Sequence, residues 1–288
     1  MSYYFTLNYP PNRQPVTVGD LLRVLLVPRK WRHYLRIEQN VLVNGHYRHF
    51  SDLVYPNDQV ELLLNRVEPN QQPYPASTQI PDIIYEDDNL LVINKPAGQK
   101  THPNLAETNT ALNDCATYLG TTPFIVHRLD MLTSGLLLVA KNPAVVPSLN
   151  RQLTTKTFHR EYLALVTASN VLKDSGIINL PIGKDPDDQR KRMVVPSGLN
   201  SLTNYQVLER RANQTALVKL SLETGRTHQI RVHLAALGCP IIGDPLYNPE
   251  ALPGQLLHLT AYQMSFTQPF SFERKQLKLP LTKVGFIK

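Results

Sequence analysis

Two apolar runs near the middle of the chain bracket a short polar connection. Phe124-Ile125-Val126 leads in and Leu136 to Ala140 leads out. Both read as buried strands, with Thr133-Ser134-Gly135 as the turn between them. Ile83-Ile84-Tyr85 and Leu90 to Ile93 predict a hairpin around Glu86-Asp87-Asp88-Asn89. Arg160 to Thr167, Leu202 to Arg210 and Thr215 to Leu222 predict further strands. In the last of these, Ala216, Val218, Leu220 and Leu222 fall on one face. Helices are expected over Thr110 to Leu119, over Ala144 to Leu153 behind Pro143, and over Thr227 to Leu237, where Gly238 supplies the stop. Strands dominate and are joined mostly by turns. The expected class is therefore α+β, a mixed, largely antiparallel sheet with flanking helices.

The first 66 residues follow a different pattern. An apolar-periodic stretch, Val18 to Leu26, precedes Pro28-Arg29-Lys30-Trp31-Arg32-His33-Tyr34-Leu35-Arg36. On a helix, Arg29, Arg32 and Arg36 share one face. Either this is a solvated helix face, or it is a phosphate-contacting face with Trp31 and Tyr34 available to stack on bases. Val41-Leu42-Val43 runs into Asn44-Gly45, a tight hairpin signal, and Val60 to Leu64 closes the segment as a strand. Residues 67–82 carry Pro69, Pro73, Pro75 and Pro81 among polar residues and read as an extended linker. The expected division is a small unit over 1–66, the linker over 67–82 and a large unit over 83–288.

Composition narrows the class. The chain has 288 residues, 42% of them hydrophobic, which suits one large core and one small one. A net charge of +7 favours a polyanionic partner. Cys115 and Cys239 are too few for a disulfide scaffold. Met1 to Arg13 lacks a basic-then-apolar leader pattern, and no apolar run reaches the ~18 residues of a membrane span. A soluble, cytoplasmic protein is expected. His102, His127, His228 and His233 have spacings that fit no common zinc motif, so no metal and no cofactor are expected.

The connection between the two central strands carries His127-Arg128-Leu129-Asp130. Asp130 either caps a turn or is a carboxylate held for chemistry on a rigid scaffold. The rest of the sequence bears on this choice. His127-Arg128-Leu129-Asp130 with Thr133-Ser134-Gly135 resembles the signature of the RluA-type pseudouridine synthases. Two further blocks match in order: Tyr85-Glu86-Asp87-Asp88 with Asn94-Lys95-Pro96-Ala97-Gly98 and His102-Pro103, and Thr224-Gly225-Arg226-Thr227-His228-Gln229-Ile230-Arg231-Val232-His233 with Gly238, Pro240-Ile241, Gly243-Asp244 and Tyr247. The resemblance covers residues 80 to 270. The first unit is similar, more loosely, to the small alpha-L RNA-binding domain that often precedes such synthases.

The resemblance implies isomerisation of uridine in structured RNA, ribosomal or transfer, by one carboxylate acting as nucleophile or as base toward the sugar. It assigns that role to Asp130. A buried carboxylate needs a cation to stay ionised, and the family's pairing implies Arg231. Tyr162 matches the family's active-site tyrosine and would stack on the uracil. Arg128 would fill the gap left by a flipped base, or contact a phosphate. His127, Lys95, Arg226 and His228 complete the expected substrate contacts, and Lys95 to Gly98 the pocket wall, with Gly98 allowing close backbone approach. Arg29, Lys30, Arg32 and Arg36 are the RNA-contact candidates of the first unit. Leu199 and Ser201 depart from the residues the family usually carries there. Two other functions compete: a non-catalytic RNA-binding or ribosome-assembly factor, and a hydrolytic N-glycosidase, which needs a second carboxylate such as Glu161 or Asp244. A monomer is expected.

Overall fold

The apolar runs pair as their pattern dictates. A computed structural model of the chain describes residues 1–69, 71–104, 107–167 and 172–287, so Asn70 of the linker lies outside the described residues. Its main sheet has ten strands, with the path Ser175–Asn179, Leu202–Arg210, Thr215–Leu222, His159–Thr167, Leu259–Thr267, Ser134–Ala140, Leu90–Lys95, Ile83–Glu86. All pairings in it are antiparallel except one. Ser134–Ala140 runs parallel to Leu259–Thr267, with Ser134 opposite Thr260 and Gly135 opposite Ala261.

This seam sets the register of everything that follows. Lys95 lies opposite Gly135, Gly135 opposite Ala261, Ala261 opposite Tyr162, and Tyr162 opposite Leu220. Five segments far apart in sequence thus meet in one row across the sheet. The register shifts opposite the Glu161–Tyr162 step, where Tyr262 is the extra residue of the partner strand, so the irregularity lies beside the tyrosine. Gly135 has φ +104, and a Cβ there would lie 2.2 Å from the Ala261 carbonyl oxygen. Only glycine fits the closest approach of the seam. Ser134 and Gly135 therefore belong to the strand, not to the expected turn. The turn is earlier, with the Thr133 N–H donating to the Asp130 carbonyl at 3.1 Å.

Both faces of the sheet are covered, which is why Leu136 to Ala140 is apolar throughout instead of alternating. One face receives Leu91, Ile93, Leu137, Val139 and Ala164 against the helices α3 (Ala111–Leu119) and α5 (Gln229–Ala236). The other receives Leu90, Val92, Leu136 and Leu138 against α4 (Val146–Thr154) and the N-terminal unit. The helix expected to start at Ala144 begins two residues later, with Val145 as its cap and Pro147 in its first turn.

The N-terminal unit has a four-stranded antiparallel sheet in the order Tyr3–Asn8, Gln59–Leu64, Val41–Val43, His46–Tyr47. It also holds the helices α1 (Val18–Val24) and α2 (Arg29–Ile37). Asn44 and Gly45 have φ of 53° and 78°, the paired positive values that a two-residue hairpin turn needs. This unit shares its core with the large one: the Phe5 ring stacks on Phe270 at 4.0 Å, and Tyr9 meets Phe272 edge-on at 5.7 Å. The linker is docked as well. Gln71 donates to the Pro123 carbonyl at 2.7 Å, and Asn113 donates to the Pro75 carbonyl at 2.7 Å. Among the described residues no helix is long and apolar enough to cross a membrane.

Candidate active site

The Arg128–Met131 connection is tied to the 95–101 segment at several points. The Thr101 hydroxyl donates to the Leu129 carbonyl at 2.8 Å and accepts from the Leu129 N–H at 3.1 Å. The Met131 carbonyl accepts from the Gly98 N–H at 2.9 Å and from Lys95 Nζ at 3.1 Å. Between these ties Leu129 is buried, Arg128 is exposed and Asp130 is half-buried. The carboxylate faces a cavity of about 550 Å³, within the range of small-ligand sites.

That cavity gathers the expected residues from three segments. His127, Arg128 and Asp130 come from the connection and Tyr162 from the strand His159–Thr167. Arg226, His228 and Arg231 come from the entry to α5. Lys156 and Arg160 line it too, with Glu223 as the second carboxylate among the lining residues. Basic side chains therefore ring Asp130, as a polyanionic substrate requires. Tyr162 is buried to 5% exposure, and burial raises its hydroxyl above the usual tyrosine value, so the ring stands in the wall as a neutral phenol.

Four expected roles change. Lys95 is not a lining residue. It is fully buried, and its ammonium donates to the carbonyls of Pro96, Gln99 and Met131 at 2.8, 2.8 and 3.1 Å. Burial brings it down to about 7, opposed by the nearby Asp130 carboxylate. Its site work is to hold the connection that carries Asp130. Gly98 has open space where a Cβ would stand; its φ of +86 is what calls for glycine. His127 reaches the cavity edge but is largely a strut. Its Nε2 accepts from the Leu138 N–H at 3.1 Å, and burial with the charge of Arg160 lowers it to about 3.

The fourth change concerns Arg231. Its guanidinium is forked onto Asp244, Nε to Oδ2 and Nη2 to Oδ1, both at 2.7 Å, with both side chains buried. Asp244 is itself held in place by the Leu246 and Tyr247 N–H groups, which donate to Oδ1. The basic side chain nearest Asp130 is His228, with Nε2 at 4.0 Å from Oδ2. His228 does not share a helix face with Arg231. It caps α5 in the left-handed conformation, φ 58°, and the helix starts at Gln229. Gln229 fixes this bend. Its Oε1 accepts from the Thr224 hydroxyl and the Arg226 N–H at 2.8 and 3.0 Å, and its Nε2 donates to the Leu202 carbonyl at 3.0 Å. Thr101, Gln229, Tyr247 and the pairing role of Asp244 were not legible as site features in the sequence. The Gly243-Asp244 and Tyr247 spacing was the signal available for two of them.

Comparison with known proteins decides the family. Residues 89–236 match RNA pseudouridylate synthase, and residues 5–60 match the RluD ribosomal pseudouridine synthase N-terminal domain. The chain is 40% identical to a ribosomal large subunit pseudouridine synthase D of Nitrosomonas europaea, over 92% of this chain and 81% of that protein. It is also 40% identical to the uncharacterized RNA pseudouridine synthase YlyB of Bacillus subtilis, over 84% of this chain and 82% of that one. The chain belongs to the RluA-type RNA pseudouridine synthase family. Among solved structures, human RNA pseudouridylate synthase domain containing 1 superposes with a TM-score of 0.61 at 28% identity, covering 72% of this chain and 85% of that one. The family's members are isomerases, and the chain is an RNA pseudouridine synthase of that class. Of the carboxylates lining the cavity, Glu223 is the one besides Asp130, and neither of the two weighed for a hydrolytic reaction is available. Asp244 is fully engaged by Arg231, and Glu161 does not line the cavity.

Proposed function

We propose that Asp130 is the catalytic carboxylate and that the substrate is a uridine in ribosomal RNA, flipped into the 550 Å³ cavity. The observation that carries this reading is the position of Asp130, a carboxylate on a fixed connection inside a ring of basic side chains. In this reading the uracil lies against the Tyr162 ring while its glycosidic bond faces Asp130. Bond cleavage, rotation of the uracil and formation of the carbon–carbon bond all take place in the same cavity, with no net redox change. Attack on the sugar and removal of a sugar proton both use this one carboxylate. Arg231, neutralised by Asp244, contributes a fixed buried dipole behind the carboxylate. Arg128, exposed at the rim, enters the place of the flipped base or holds a phosphate.

Ribosomal RNA is favoured over transfer RNA by the name of the Nitrosomonas relative, which covers nearly the whole chain. The test is to treat total RNA from cells lacking the gene with purified protein, then map pseudouridine by carbodiimide adducts that stop reverse transcription. A new stop in ribosomal RNA is expected. A new stop in transfer RNA alone overturns the substrate assignment, and free uracil in the product overturns the isomerase reading.

A further inference from the structure

We propose that His228, fixed by Tyr247, is a positioning residue that presents a ring N–H to Asp130 and holds its carboxylate in the reacting orientation. The inference rests on the reading of Asp130 as the reacting group.

Its first support is hydrogen-bond accounting. His228 Nδ1 lies 2.9 Å from the Tyr247 hydroxyl oxygen. That oxygen already accepts the Arg192 N–H at 2.8 Å. The hydroxyl proton is then free to go to Nδ1, which leaves the proton of the neutral imidazole on Nε2. Nε2 is the ring atom nearest Asp130 Oδ2, at 4.0 Å, which is charge–dipole range and longer than a hydrogen bond. The opposite tautomer would set a ring lone pair against the carboxylate, a repulsive arrangement. Around the ring stand Asp130, Arg231, Asp244, Arg192 and Tyr247; burial is the largest influence and lowers the His228 pKa, which keeps the ring neutral near pH 7.

The second support is the backbone. A non-glycine residue at φ 58° is uncommon, and such residues persist where the surroundings over-determine them. Here Gln229 clamps the bend on one side and Tyr247 holds the ring on the other. The third is that Arg231 is committed to Asp244. Among the described residues His228 is the basic group within 4.0 Å of the Asp130 carboxylate. A carboxylate without such a donor can rotate, and misplacement of a reacting group by about 1 Å can slow a reaction 10²-fold.

The test uses the full-length protein and total RNA from cells lacking the gene, labelled with [5-³H]uridine, since pseudouridine formation releases the C5 hydrogen to water. Asn tolerates the left-handed backbone but is too short to reach Asp130. His228→Asn is expected to slow the single-turnover rate roughly 10- to 100-fold, as loss of an orienting outer group does, at an unchanged half-saturating enzyme concentration. His228→Gln, which restores a reaching N–H donor, should recover part of the rate, and it carries the comparison if His228→Asn folds poorly. Tyr247→Phe should slow the rate less and shift the ¹⁵N signals of His228, identified by their absence in His228→Asn, from one tautomer toward a mixture. A wild-type rate in His228→Asn overturns the inference, as does a loss confined to half-saturation, which makes His228 an RNA contact. Asp130→Asn is run in parallel. If it releases tritium normally, the underlying reading fails. If it is inert while His228→Asn is fully active, this inference alone fails.

Discussion

Arg231 and Asp244 form a two-pronged buried ion pair, 2.7 Å at each prong, and that pair fastens the first turn of α5 to the Asp244–Tyr247 turn. The family resemblance pointed Arg231 at Asp130. In the structure its hydrogen bonds go to Asp244, whose carboxylate neutralises it. Removing one partner of such a pair leaves an uncompensated buried charge and typically costs about 3–5 kcal/mol. Asp244→Ala should therefore lower the unfolding free energy from urea titration by that amount and abolish turnover with it. A variant of wild-type stability would show that the pair is not the fastening described.

His127 gives the fold an acid-labile point. Its folded value of about 3 lies below the ordinary 6.5, so between these pH values the unfolded chain binds a proton that the folded one does not. Its stabilising contribution is thus complete above pH 6.5 and is lost as pH falls toward 3, by up to roughly 1.4 kcal/mol per unit. His127→Gln keeps an acceptor for the Leu138 N–H without the titration. Urea unfolding at pH 7 and pH 4.5 should show the wild type losing more stability than the variant. Parallel losses would contradict the assignment.

Lys95 matches three ammonium hydrogens to three carbonyls. Lys95→Met fills the same space but leaves the carbonyls with fewer donors. A loss on the order of 3 kcal/mol is expected in urea unfolding, together with slower turnover, because the Met131 tie to the Asp130 connection weakens. Normal activity at reduced stability would detach Lys95 from the site.

The N-terminal unit calls for point substitutions and not truncation, because its Phe5 and Tyr9 are packed into the shared core. On α2, Arg29, Lys30 and Arg36 are exposed. We propose that they contact RNA phosphates. The triple alanine variant should flatten the slope of log K against log salt by about 2–3, near one per lost phosphate contact, with the single-turnover rate at saturation unchanged. An unchanged slope would make α2 a solvated face. Trp31 packs against the core and Tyr34 lies under Arg66, with the guanidinium carbon 4.7 Å from the ring centroid, so neither is presented as a stacking platform.

Most of the sheet could be read from sequence because each strand's apolar run is a local signal. The Asn44-Gly45 hairpin and the Gly238 stop were legible for the same reason. Ser175–Asn179, Leu259–Thr267 and Arg274–Lys278 were not read as strands, and the other parts that escaped are set by tertiary partners. Ser134 and Gly135 look like turn residues, yet they form the parallel seam because Ala261 needs a neighbour with no Cβ. His228 looks helical by periodicity, but the Gln229 clamp holds it outside the helix. Lys95 looks like a pocket cation until three carbonyls are found converging on it. The residues of the site were visible as motifs, whereas which cation meets which carboxylate depended on the 241–247 turn.

The central claim is that one carboxylate performs the chemistry, and single-turnover tritium release by Asp130→Asn tests it most directly. Asn keeps the size of the side chain and the Thr133 N–H bond to the residue 130 carbonyl. The account predicts no release above background from [5-³H]uridine-labelled RNA, with RNA affinity within a few-fold of wild type. Release at a rate near that of the wild type would contradict it.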